Sequence, residues 1–161
     1  MRRALLKTFA IASLATLAGC GFQLRGQSAL PFEAAYVETA SSSVLGNLLR
    51  GHLDRQAKLI SLREKADVII RLSNERRDKT ILSLSGAGKV REYRLVHAVT
   101  VSAVNREGAE LLAPAEIRQS RDFSYSDQQI LAKEAEEASL RKEMDGDILR
   151  QMLRRLAFVN Q

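Results

Sequence analysis

The chain has 161 residues, 45% of them hydrophobic and 27% charged, with a formal net charge of +6 and a sequence pI near 9.8. One cysteine leaves no partner for an intrachain disulfide or a thiolate metal site. The absence of Trp and the 5% aromatic content argue against a broad saccharide-stacking groove. The basic surplus is too dilute, and too poor in interleaved aromatics, for a nucleic-acid-binding stripe, so no nucleic-acid partner is expected.

Arg2, Arg3 and Lys7 precede an apolar run from Phe9 to Ala18 that only Ser13 and Thr16 interrupt. This charge-then-apolar order is that of a secretory signal, and the run is too short to cross a bilayer as a folded helix. It ends in Leu17-Ala18-Gly19-Cys20, which resembles a bacterial lipobox. That resemblance implies cleavage before Cys20 and lipid on its thiol. The expected organisation is a signal peptide at 1–19, a lipidated cysteine and tether at 20–32, and a single domain at 33–161. Removing the signal leaves 142 residues at net +3, enough for one domain with a real core. Each buried methylene contributes about 0.8 kcal/mol, so one acyl chain holds a protein only marginally. Lipoproteins with this motif carry three. Gly21 is not the Asp that tends to retain such proteins at the inner membrane, so the outer membrane is the expected location.

In chain order, residues 34–39, with Tyr36 and Val37, read as a first strand. Ser41, Ser42 and Ser43 offer N-cap hydroxyls to a helix whose apolar side carries Val44, Leu45, Leu48, Leu49 and Leu53, although Gly46 and Gly51 weaken it. Leu59-Ile60 suggests an edge strand. Residues 66–85 read as a long, partly irregular strand whose middle, Asn74 to Thr80, is polar and charged; Arg76, Arg77 and Lys79 there suggest a solvated bulge. Ser85 to Lys89 is a hairpin loop by its glycines. A dozen residues then alternate, with Tyr93, Leu95, His97, Val99, Val101 and Ala103 on one face. After a turn at Asn105 to Gly108, alternation resumes from Glu116 to Tyr125, with Arg121 on the Phe123 side. Residues 127–158 read as a long helix capped by Ser126 or Asp127, with Ile130, Leu131, Ala135, Ala138, Ile148, Leu149, Met152, Leu153 and Leu156 on a common apolar side and Asp145-Gly146-Asp147 as a kink or break.

Catalytic chemistry finds little support. His52 and His97 have no Cys, His or carboxylate neighbours at metal-ligand spacing, so no metal is expected. Gly86-Ala87-Gly88-Lys89 lacks the spacing and the Ser or Thr of a phosphate loop. There is no Gly-x-Ser-x-Gly elbow. Glu134, Glu136 and Glu137 lie among Lys133, Arg141 and Lys142, as on a solvated helix face.

Gly19-Cys20-Gly21-Phe22-Gln23-Leu24-Arg25-Gly26 is similar to the Gly-Cys-Gly-aromatic-x-Leu-Arg opening of the LptE family of lipopolysaccharide-assembly lipoproteins. The Gly88-x-x-x-Glu92-Tyr93 strand entry and the Leu131-Ala132-Lys133 helix start also resemble that family. The resemblance implies an α+β fold with two helices packed against a small mixed, mainly antiparallel sheet. It implies a non-enzymatic, cofactor-free role as plug and partner of the outer-membrane β-barrel LptD in lipopolysaccharide transport. Arg and Lys form charge-assisted bonds to phosphate. Lys133, in the family's Leu-Ala-Lys string, is therefore the first expected lipopolysaccharide contact. In the hairpin, where relatives can carry arginine, this chain has Gly86, and Lys89 and Arg91 would substitute. The alternative is a pilotin-like lipoprotein that escorts another barrel or secretin without binding lipopolysaccharide.

Overall fold

A computed structural model describes residues 30–159; the expected signal peptide, Cys20 and most of the expected tether lie outside the described residues. Strand β1 (Ala35–Glu38) runs parallel to β2 (Val68–Leu84), which pairs antiparallel with β3 (Val90–Asn105), itself antiparallel to β4 (Glu110–Ser124). Parallel neighbours need a crossover connection. Helix α1 (Val44–Arg55) supplies it, and a second helix, α2 (Ile130–Leu156), follows β4. The fold is therefore α+β, two helices on a mixed four-stranded sheet of order β1-β2-β3-β4.

Both helices cover the same sheet face. Leu45, Leu49 and Leu53 of α1 and Ile148, Met152 and Leu156 of α2 meet Val68, Ile70, Val99, Val101, Ala103 and Ile117 in one cluster. The alternation read in β3 holds, since Leu95, His97, Val99, Val101 and Ala103 are all buried. Leu30 and Phe32 also enter this core, so packing begins within the stretch that its glycines and proline suggested was tether.

Ser43 is the N-cap of α1, its Oγ accepting a bond from the Gly46 amide at 2.7 Å. A Cβ at Gly46 would collide with Thr39 Cγ2 and Ser43 Oγ, so the glycine that lowers helix propensity is required by close packing. At the other end, the Ala57 amide donates to Asp54 O and the Lys58 amide to Leu53 O, both at 2.9 Å. This is a Schellman closure, with Ala57 at φ 55 in the position that favours glycine.

Four local expectations change. Leu59 makes only an isolated parallel bridge to Ala35. Strand β4 starts at Glu110, before the stretch where alternation is visible. It is an edge strand, where Pro114 withholds no ladder bond, and the β3 register shifts between Val101 and Ala103 opposite it. Residues Asp127–Gln129 form a 3₁₀ turn capped by Ser126, and α2 starts after it. Finally, α2 runs unbroken through Asp145, Gly146 and Asp147, because those carboxylates are held by the sheet: Arg121 Nη2 donates to Asp147 Oδ2 at 2.8 Å, and Asp145 is bonded as follows.

Between Ser73 and Arg76, β2 carries one residue more than β3, and Asn74 takes φ 53. This bulge reverses the phase of the strand. Before it, Val68, Ile70 and Leu72 face the helices; after it, Glu75, Arg77 and Lys79 do, Arg77 pairing with His97 and Lys79 with Leu95. The expected bulge is present and Arg76, Arg77 and Lys79 stay exposed to solvent, but Glu75, Arg77 and Lys79 also form one edge of a polar seam beneath α2. Arg77 Nη2 donates to both Asp145 oxygens, at 2.8 and 2.6 Å. His97, only 2% exposed, places Nδ1 at 2.7 Å from Asp145 Oδ1 and Nε2 at 3.2 Å from Glu75 Oε1. Glu75 in turn accepts from Ser43 Oγ and from the Leu45 amide, which ties β2 to the N-terminus of α1.

Burial pushes the Asp145 carboxyl up, but bonds from His97 and Arg77 outweigh it and hold the group below the ordinary carboxylate range. The unfolded chain then binds more protons. The stability from Asp145 is fully present above roughly pH 4 and is lost as pH falls through the lower folded value. In urea titrations, the unfolding midpoint is expected to drop below that pH, and Asp145→Asn should flatten the drop. At neutral pH Asp145→Ala should lower stability by about 3 kcal/mol, since it strands a buried imidazole and Arg77. Ala57→Gly should raise stability by about 1 kcal/mol in the same assay, by relieving the left-handed strain.

Candidate functional site

The three cationic residues expected to meet phosphate lie together at one end of the molecule. Lys89 closes the β2–β3 turn, where Ser85 N donates to Lys89 O at 2.7 Å and Gly88 takes φ 74. Arg91 follows at the start of β3, its carbonyl accepting from the Tyr125 amide at 2.8 Å. Lys133 lies in the first turn of α2 and donates from Nζ to Oγ of Ser124, the last residue of β4, at 3.0 Å. The β2–β3 turn, the end of β4 and the start of α2 thus form one tip.

These cations are not equivalent. Lys133 also pairs with Glu136 at 2.8 Å and is only 14% exposed, so its ammonium is largely committed to internal partners. Lys89 is 72% exposed and sits 3.6 Å from Asp127. Arg91 is exposed, and its guanidinium has no ion pair among the described residues.

The same tip exposes apolar side chains. Ile81, Leu82 and Leu84 of β2 are 56%, 41% and 55% exposed, and Ile130 and Leu131 of α2 are 46% and 82% exposed. The sequence periodicity assigned Leu131 to the buried side of the helix, but it is 82% exposed and joins neither apolar cluster. Only a small second cluster of Leu95, Phe123 and Met144, flanked by Tyr93 and Leu140, supports this half of α2. Lys79 bridges that cluster, its Nζ 4.2 Å from the Tyr93 ring centre and 2.6 Å from Glu137. Burial raises the Glu137 carboxyl, but bonds from Lys79 and Arg141 draw it below its usual range. Glu137 is therefore a structural anion rather than part of a solvated face.

Exposed aliphatic residues beside exposed cations can hold an anionic amphiphile, with acyl chains on the first and phosphate oxygens on the second. The apolar half of this arrangement was missed in the sequence. The readable signal was the crowding of Ile81, Leu82 and Leu84 against a glycine turn whose far side opens with the charged Lys89, Arg91 and Glu92. Among the described residues no three His, Cys, Asp or Glu side chains converge as metal ligands. A cleft of about 420 Å³ lies over the start of α1, lined by Ser42, Ser43, Asn74, Glu75 and Arg77, all part of or beside the buried seam.

The model of a lipopolysaccharide-assembly family, LptE, matches residues 30–156. The LPS-assembly lipoprotein LptE of Photorhabdus laumondii is 29% identical over 99% of this chain and 89% of its own length. That of Yersinia enterocolitica is 30% identical over 98% of this chain and 77% of its own. Among solved structures, lipoprotein B from Nitrosomonas europaea superposes with a TM-score of 0.73 at 40% identity, covering 85% of this chain and 90% of that one. Rare lipoprotein B from Shewanella oneidensis gives 0.58 at 25% identity, covering 76% and 89%. The match runs from the first core residue, Leu30, to the last residue of α2, and so takes in the whole sheet, the buried seam and the tip: the chain belongs to the LptE family of lipopolysaccharide-assembly lipoproteins.

Proposed function

We propose that the chain is cleaved before Cys20, acylated there and held in the outer membrane, where it acts without catalysis as plug and partner of the β-barrel LptD and binds lipopolysaccharide at the tip. The observation that carries this reading is the coincidence of Lys89 and Arg91 with the exposed Ile81, Leu84 and Leu131. Lipopolysaccharide is an amphiphile with phosphates beside acyl chains, and this surface offers partners for both. Lys133 sits behind the two exposed cations and adds charge while it fixes Ser124 and Glu136.

The shape supports the plug role. The described chain starts at Leu30, beside the strand starts Ala35 and Val68, whereas the tip lies beyond Leu84. A strand rises about 3.3 Å per residue, so the 17 residues of β2 separate these ends by roughly 50 Å. That is longer than the roughly 30 Å hydrocarbon core of a bilayer. An anchor attached at one end leaves the other free to reach through a barrel lumen.

The mature chain carrying Cys20→Ser is expected to bind lipopolysaccharide. Lys89→Glu with Arg91→Glu should weaken binding roughly tenfold or more, because two charge-assisted contacts are lost. Leu131→Asn should weaken it less. Surface plasmon resonance on immobilised lipopolysaccharide measures all three. Absence of binding by the parent chain would favour the pilotin-like escort role, and mass spectrometry of the native protein with an unmodified Cys20 would overturn the anchor.

A further inference from the structure

The sheet face turned away from the helices also carries an organised set of charges. Because β2 changes phase at its bulge, Arg76, Asp78 and Thr80 fall on this face, opposite Ala98, Val96 and Arg94 of β3. Across β3 the register continues to Arg118, Ser120 and Asp122 of β4. Arg76, Ala98 and Arg118 therefore form one row, with an alanine between two arginines. Two strand spacings separate those arginines, roughly 10 Å at the backbone. Guanidinium groups on arms of that length can converge over the small residue.

Val96 and Ala98 are 6% and 1% exposed although no helix covers them. The long side chains of the flanking strands lie over this floor, their stems packed and their heads in water. A groove of about 630 Å³ starts at the two arginines of this row and extends over Val96 towards Arg94, with Asp78 and Thr80 also in its lining. The cations differ in what neutralises them. Arg94 donates two bonds to Asp122, at 2.7 and 2.8 Å, and Arg76 one to Glu116 at 2.9 Å. Arg118 has neither a hydrogen bond nor an ion pair among the described residues.

We infer that this groove is a second anion site, separate from the tip, in which Arg118 and Arg76 clamp a phosphate group above Ala98. Phosphate suits two forks on opposite sides better than a carboxylate does, since it can give oxygens to both while a carboxylate fills one. Ser120 stands in the neighbouring row and Thr80 in the one beyond it, both with hydroxyls to donate. Free phosphate, a sugar phosphate and a phospholipid headgroup all present this chemistry.

The test is an NMR titration of the mature chain carrying Cys20→Ser, with inorganic phosphate added at constant ionic strength. Saturable shifts are expected at the amides of Arg76, Ala98 and Arg118. Arg118→Gln should weaken them roughly tenfold, the effect of one charge-assisted contact. Lys142→Gln, an equal loss of charge on an exposed part of α2, should leave them unchanged. Vesicles containing phosphatidylglycerol form the second arm. Binding that falls with Arg118→Gln identifies a headgroup as the source, and phosphate binding without it identifies a soluble phosphate. Shifts confined to Lys89 and Arg91, equal weakening by both variants, or no saturable response in either arm would overturn the site.

Discussion

The structure depends on a chain of polar contacts, buried at Ser43, His97 and Asp145, that runs from Ser43 through Glu75 and His97 to Asp145 and surfaces at Arg77. It links the N-terminus of α1, two strands and the middle of α2, which share no sequence neighbourhood. His97 sets its two ring nitrogens against two different carboxylates, Nδ1 beside Asp145 and Nε2 beside Glu75. Every buried side-chain polar atom among the described residues finds a partner. Such a network is favourable only when complete, since a buried donor or acceptor left without a partner costs about 1–3 kcal/mol. Its completeness fixes the helices against the sheet more specifically than aliphatic packing alone would.

The bulge at Asn74 makes that network available. Without the extra residue, the charged half of β2 would turn Arg76 and Asp78 toward α2, and Arg77 would face water. With it, one strand serves both layers: aliphatic below the bulge, ionic above it. The same change of phase sends Arg76 to the open face, where it meets the row of Arg118. One insertion thus shapes the interior seam and the exterior groove together.

Core packing and exposed apolar surface are kept apart along the molecule. The large aliphatic cluster and the seam occupy the half where the chain enters, while the tip rests on a small cluster and leaves five large aliphatic residues open. A surface that is poorly covered but rigidly mounted suits an acyl-bearing ligand or a barrel wall, because the apolar area stays available without loosening the core.

Much of this was legible in the chain. Period-two alternation in β3 depends only on local geometry, so its buried face could be read directly; Ser43 as cap and the Ser85–Lys89 turn rest on equally local chemistry. The lipobox and the Gly-Cys-Gly-aromatic-x-Leu-Arg opening carried the family. Tertiary structure alone decided the remainder. Asp145-Gly146-Asp147 has the composition of a helix break, and only its bonds to His97, Arg77 and Arg121 keep α2 continuous. Pro114 conceals the start of β4 until the strand is known to be an edge. Whether Leu131 is buried and Lys133 free depends on which surfaces α2 meets, and pairings of residues tens of positions apart set that. Local patterns determined which elements form and which way their faces point; which charges lie inside was settled by register, since one added residue reverses a strand's faces while leaving its composition unchanged.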